Sequence, residues 1–96
     1  MKGGWVYILA SRYRGTLYIG VTAEIARRVW EHRQGIGSEF VRRYGITRLV
    51  HAERFDSIAD AIAREKALKK WRRAWKFELI ERDNPEWDDL FERING

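Results

Sequence analysis

Residues 5–32, WVYILASRYRGTLYIGVTAEIARRVWEH, constrain the fold more than any other stretch of this chain. Two short apolar runs, Val6-Tyr7-Ile8 and Leu17-Tyr18-Ile19-Gly20, flank a polar segment with turn chemistry at Arg14-Gly15. That is the pattern of two strands joined by a hairpin. On paired antiparallel strands Tyr7 and Tyr18 lie close enough for both hydroxyls to reach one shallow site, if the register allows. Tyrosine is also common in strands, so packing alone accounts for either ring until something further engages it.

The next segment supplies that something. Thr22 is placed as an N-cap and Ile25, Ala26 and Val29 recur at helical spacing, which predicts a helix over 23–33. At about 100° per residue, Arg28 and His32 fall beside each other on one border of the apolar face, while Arg27 points to solvent. A border position can reach a cleft floor. The plainer alternative is a Glu24–Arg28 surface ion pair, about 0.3–0.5 kcal/mol.

Size and composition narrow the class. A chain of 96 residues has room for one core, so 1–96 reads as a single domain. With no cysteine and two histidines, disulfides, thiolate zinc sites and a histidine-built metal cage are excluded. Any metal must be held by oxygen ligands. The longest apolar run covers residues 5–10, far short of the ~20 that cross a bilayer, and the N-terminus lacks a signal-peptide hydrophobic region. The expected location is the cytoplasm, with no membrane association. The net charge of +5 conceals +9 over residues 1–82 and −4 over residues 83–96. A basic body calls for a polyanionic partner, usually nucleic acid, or else serves solubility.

Further along, Gly35-Ile36-Gly37 ends the helix, and Ser38 is placed to cap a short one to about Arg43. Ser38, Arg42 and Arg43 are then polar groups near a loop, available to phosphates or simply solvated. Residues 47–55 read as a third strand. Ser57 with Asp60 resembles a capping box that opens an alanine-rich helix to about Leu68. With Ile58 at zero on the helical wheel, Ala61, Ile62 and Leu68 share a face and Glu65 falls in their midst. An ionised carboxylate on an apolar face costs several kcal/mol unless it is paired or binds a metal. A structural ion pair with an arginine is the alternative to a ligand role.

The stretch KALKKWRRAWK interleaves Lys66, Lys69, Lys70, Arg72, Arg73 and Lys76 with Trp71 and Trp75. Such a pattern can track a phosphate backbone while stacking on bases. It fits equally a core-facing tryptophan seam with cations outside, and a core role is expected for at least one tryptophan. Asn84-Pro85 predicts a turn, with Asn84 as N-cap, Pro85 at the first helical position and Glu86, Asp88 and Asp89 in the first turn of a short terminal helix.

Val6-Tyr7 and Tyr18-Ile19-Gly20, eleven residues apart tyrosine to tyrosine, with Arg28 eight residues after Gly20 and then His32, resemble the signature of the GIY-YIG nuclease family. Trp5 stands where that signature has its first glycine, a mild departure since the tyrosine carries the chemistry. The resemblance extends from Trp5 to about Leu90 and is to the small stand-alone branch of the family. It implies an α+β fold, a three-stranded antiparallel sheet flanked by helices in the order ββααβα, which is also the order read from the residues, with a short C-terminal helix.

The resemblance implies a divalent-metal-dependent endonuclease. Glu65 is then the ligand of one Mg²⁺ or Mn²⁺. Arg28 stabilises the developing negative charge, Tyr7 or Tyr18 takes the proton from water, and His32 orients a tyrosine or contacts phosphate. Asn84 also enters as a possible site residue, beside its capping role. DNA is the expected substrate ahead of RNA, in repair or processing of a flap or junction. With no attached targeting domain, selection falls to this domain, to a partner protein or to nucleic-acid structure. The alternative is a nucleic-acid-binding module of the same fold that is non-catalytic or works only with a partner.

Overall fold

The first apolar run forms the central strand. In the computed structural model, which describes residues 3–95, β1 (Gly4–Ala10) lies between β2 (Leu17–Thr22) and β3 (Arg48–Phe55) in the order β2-β1-β3. Both neighbours run antiparallel to it. Side chains from Val6 to Ala10 are all buried. Covered on both faces, the strand reads as a continuous apolar run rather than an alternation.

Helices cover the two faces. On one, Val6, Ile8, Ala10, Ile19 and Val50 pack with Ala61 and Leu68 of α3 (Ile58–Lys70), Leu79 and Ile80 of α4 (Arg73–Asp83), and Trp87. On the other, Tyr7, Leu9 and Leu49 pack with Ile25 and Val29 of α1 (Ile25–Arg33), Val41 of α2 (Glu39–Tyr44), and Ile46. A short α5 (Phe91–Asn95) closes the chain. The order ββααβα with a short C-terminal helix is as expected, with α4 added between α3 and α5. The break between α3 and α4 falls at Trp71 and Arg72, both extended, with ψ of 152° and 149°.

Local signals held unevenly. Ser38 caps α2 by accepting from the Val41 N–H, and Gly45 ends it in the left-handed region at φ 60°. Thr22 is not the N-cap of α1. Glu24 holds that position without a side-chain bond, and the Thr22 hydroxyl accepts from the Glu24 N–H at 3.1 Å. Ser57 accepts from the Ala59 N–H at 3.1 Å, a cap without the reciprocal box. Asn84 closes α4 instead of opening a terminal helix, which starts only at Phe91.

Candidate active site

β2 is an edge strand, and the site is built along it. The register pairs Tyr7 with Gly20 and Leu9 with Tyr18, so the two tyrosines are diagonal neighbours on one face, ring centroids 6.3 Å apart. Tyr7 lies across residue 20: a Cβ there would sit 2.3 Å from its hydroxyl oxygen. Only glycine leaves room for that ring, which gives the final glycine of the motif a steric role. The Tyr7 hydroxyl meets His32 Nε2 at 2.9 Å, and the Tyr18 ring stands edge-on to the imidazole at 5.2 Å.

His32 sits deeper than the border position expected of it, 1% exposed, and its Nδ1 has no partner among the described residues. Burial, reinforced by the Arg28 charge, lowers its pKa from the ordinary value, so the ring is neutral at pH 7. Burial also pushes the Tyr7 hydroxyl well above the usual phenol range, with Tyr18 and Glu65 adding to the rise and Arg28 opposing it. A tyrosine held ionised at this position therefore does not match its surroundings. The Arg28 guanidinium, beside the Tyr7 hydroxyl, is in turn held more firmly protonated by it, against the effect of its own partial burial.

Arg28 and His32 are one turn apart on α1, as the wheel requires. The Arg28 side chain is 37% exposed against 70% for Arg27. The alternative reading of Arg28, a Glu24–Arg28 pair, is absent from the described ion pairs. Arg28 Nη1 instead meets Glu31 at 3.3 Å, and Arg27 reaches both Glu24 and Glu31. Glu31 is the site-lining residue that sequence reasoning passed over, although its spacing of three from Arg28 was a usable signal. These side chains, with Val21 and Thr22, line an open depression of about 380 Å³ beside β2. The loop after α1 closes on it through Gly37, at φ 99°, where a Cβ would lie 3.3 Å from Arg28 Nη1 and 3.9 Å from His32 Cε1.

Glu65 comes from α3, which packs on the face of the sheet opposite to Tyr7, and its charge makes the smallest addition to the rise of the Tyr7 hydroxyl. Its side chain is 15% exposed and pairs with Lys69 at 3.2 Å, not with an arginine. The face it shares is less apolar in effect than the wheel implies, because Ile58 and Ile62 are each 38% exposed while Ala61 and Leu68 are buried. Among the described residues no three acids or histidines converge on one point. Ions of the Mg²⁺ class are held by one or two carboxylates with waters and substrate phosphates completing the shell. Glu65, a sheltered carboxylate whose partner is the exposed Lys69, is a donor of that kind.

The remaining predicted residues divide. Lys66, Lys70 and Arg72 are exposed, Lys76 is half-buried and Lys69 is engaged by Glu65. Arg73 instead fastens the hairpin, donating to the Arg14 and Gly15 carbonyls at 2.9 and 2.6 Å with its guanidinium 4.6 Å from the Phe77 ring centre. Asn84 is not part of the cluster. It is buried, donates to the Val50 and Asp88 carbonyls and accepts from the Asp88 N–H. Val50 is on β3, so Asn84 is anchored two strands away from β2, about 10 Å.

The GIY-YIG catalytic domain family matches residues 3–78. A UPF0213 protein from Natronomonas pharaonis is 42% identical over 76 residues, 79% of this chain and 88% of the relative. Another from Syntrophus aciditrophicus is 39% identical over 87 residues, 90% and 98% of the two chains. One from Clostridium perfringens is 32% identical over 91 residues, 95% and 97%. No solved structure matches the chain. The family match runs from the start of β1 into α4, and so takes in both tyrosine strands, the arginine helix and the helix that carries Glu65. This chain belongs to the GIY-YIG family, a nuclease family.

Proposed function

We propose that residues 1–96 form one nuclease domain, a divalent-metal-dependent endonuclease acting in the cytoplasm on phosphodiester bonds of DNA in preference to RNA. The observation that supports this reading is the meeting of Tyr7, Tyr18 and His32 beside β2, with Arg28 one turn before His32 on α1, and Glu65 is assigned to the same site by the family resemblance.

Hydrolysis forms a bond from a water oxygen to phosphorus, breaks the bond to the leaving ester oxygen and needs somewhere for the water proton. Tyr7 supplies a route. Its oxygen takes the water proton while its own proton passes to Nε2 of neutral His32, 2.9 Å away. The relay leaves the phenol neutral and the proton on His32, which burial and Arg28 dispose to release it again. Arg28 offers a fixed, always-charged fork to the negative charge that develops on the phosphoryl oxygens. Glu65 would hold one Mg²⁺ or Mn²⁺, which supplies neutralisation of the phosphate and the departing oxygen. Tyr18 orders the imidazole through its edge contact.

Target choice by a flap, a junction or a partner protein, and a role in repair, belong to this proposal. Among the described residues no helix is long and apolar enough to cross a membrane. A second reading, a nucleic-acid-binding module without turnover, draws on the Glu65–Lys69 pair, which engages the carboxylate in the free chain. Incubation with single-stranded, duplex and branched DNA and RNA, in Mg²⁺, Mn²⁺ or EDTA, separates the two. Metal-dependent strand scission supports the enzyme, and metal-independent binding without scission supports the module.

A further inference from the structure

Beyond the cleft, one corner of the molecule combines exposed aromatic surface with unpaired positive charge. Trp71 ends α3 and Trp75 lies one turn into α4, rings 6.2 Å apart and edge-on at 83°. Together with Glu78, Leu79 and Arg82 they line a groove of about 230 Å³. The two rings are differently held. Trp71 packs against the core and carries Arg64 over its ring at 5.0 Å, and Arg64 is itself locked to Glu53 by two hydrogen bonds at 2.9 and 3.1 Å. Trp75 is 49% exposed, with Arg72 over its ring at 5.4 Å.

The charge around the groove selects its occupant. Residues 66–82 carry seven cations against two carboxylates, Glu78 and Glu81. Glu81 is neutralised by Arg14 and accepts from Trp87 Nε1, so it does not face an incoming anion freely. Lys66, Lys70, Arg72, Lys76 and Arg82 have no ion-pair partner among the described residues. A protein ligand for such a groove would need a matching acidic apolar segment. A nucleic-acid strand brings phosphates for the cations and a π-face for the indole.

We infer that the Trp71–Trp75 groove is a binding site for a single-stranded nucleic-acid segment, one base stacking on Trp75 while its flanking phosphates meet Lys70, Arg72 and Lys76. A base in a duplex is already stacked on its neighbours and does not present its face to an indole. The groove therefore discriminates in favour of unpaired strands. Trp71, the C-cap of α3, follows Glu65 by six residues, about 9 Å along the helix axis and about 120° around it, so a strand that reaches both must cross the helix obliquely. The inference rests on the nuclease reading for its biological sense. It names the substrate class as nucleic acid with an unpaired segment next to the scissile bond.

The test is a titration of the purified chain with a labelled oligothymidylate and with a blunt duplex of equal length, in EDTA so that no strand is cut. Saturable quenching of tryptophan fluorescence by the single strand is expected, with Trp75→Ala weakening its affinity roughly tenfold or more. Trp75→Phe should retain most of the affinity, and the duplex should lose little in either variant. Equal affinity of Trp75→Ala and the native chain for the single strand would overturn the inference and leave the groove to a protein partner. So would an equal loss for duplex and single strand. Should Trp75→Ala melt early, Trp75→Leu, which keeps apolar bulk without an aromatic face, should show the same selective loss for the single strand, with Lys70→Ala/Lys76→Ala as the charge counterpart. Because nothing here depends on cleavage, a failed nuclease assay and a failed groove are separate results.

Discussion

The Tyr7 hydroxyl and the α-carbon of Gly20 face each other across β1 and β2 so closely that a Cβ on residue 20 would lie 2.3 Å from the oxygen and 2.4 Å from the ring carbon that bears it. The contact ties the last residue of the motif to the position of the hydroxyl that meets His32. Gly20→Ala should therefore displace Tyr7 and cost about 1–3 kcal/mol of stability, the usual cost of overpacking. In a Tyr7→Ala background the same substitution should cost much less. Denaturation of the four proteins of this cycle measures the coupling, and strictly additive losses would show that the two residues do not press on each other.

A pH dependence follows from His32. Its folded pKa is lowered, by burial and then by Arg28, so the unfolded chain takes up the proton more readily. Stability is then complete above about pH 6.5, the unperturbed value, and falls as the pH drops toward the folded value. Glu53 acts in a lower window. Burial alone would raise it, but His51 and Arg64 outweigh that and hold its carboxyl at about 2. Its contribution is present above its ordinary range and declines as the pH falls toward 2. The pH dependence of stability, followed by urea titration, should differ between the native protein and His32→Gln just below about pH 6.5. Identical slopes near pH 6 would assign the neutral-range dependence to another group.

Arg27 and Arg28 are chemically identical neighbours in different surroundings, one 70% exposed and one beside Tyr7 and His32. Arg28→Ala should lower the cleavage rate roughly 10²-fold or more, the scale for removing a stabiliser of transition-state charge, with little change in affinity. Arg28→Lys should not restore it, because a point charge does not replace a fork. Arg27→Ala should weaken binding slightly and leave the rate intact. Equal rate losses in the two alanine variants would mean that Arg28 does not face the reacting phosphate.

The cations of the α3–α4 corner should separate in the same way. Neutralising Lys66, Lys70 and Arg72 together should reduce the salt dependence of nucleic-acid binding, since each phosphate contact releases counterions. Arg73→Ala should instead destabilise the fold by about 1–2 kcal/mol through its lost bonds to the hairpin carbonyls, with the salt slope unchanged. Affinity measured across a salt series, beside thermal melts, distinguishes the two effects.

Much of the scaffold was legible in the sequence because its signals are local. Alternation and apolar runs announce β1, β2 and β3, and Ser38 and Gly45 bound α2 as their chemistry predicts. The phase of α1 follows from 3.6-residue periodicity, which placed Arg28 and Arg27 correctly relative to each other. What was missed depends on contacts between distant segments. Asparagine suits either end of a helix, and only its bonds to Val50 and Asp88 make Asn84 the close of α4. Arg73 looked like its cationic neighbours until the hairpin carbonyls came within its reach. Trp87 is fully buried at φ 57°, a conformation that no propensity anticipates for a bulky side chain, and its Nε1 donates to Glu81 at 2.7 Å. The part given to Glu65 came from family resemblance and not from spacing, because Glu65 and Tyr7 lie on elements that pack on opposite faces of the sheet.

The central claim is that this cluster cuts nucleic acid with a divalent ion held at Glu65, and Glu65→Gln tests it most directly. The substitution keeps the size of the side chain and removes its charge, so the helix should fold as before, as a circular dichroism melt can verify. Cleavage of branched and single-stranded DNA by the native chain should appear in Mg²⁺ or Mn²⁺ and vanish in EDTA. The folded Glu65→Gln protein should still bind DNA but lose cleavage by roughly 10²-fold or more. Undiminished cleavage by that folded variant, or by the native chain in EDTA, would contradict the account.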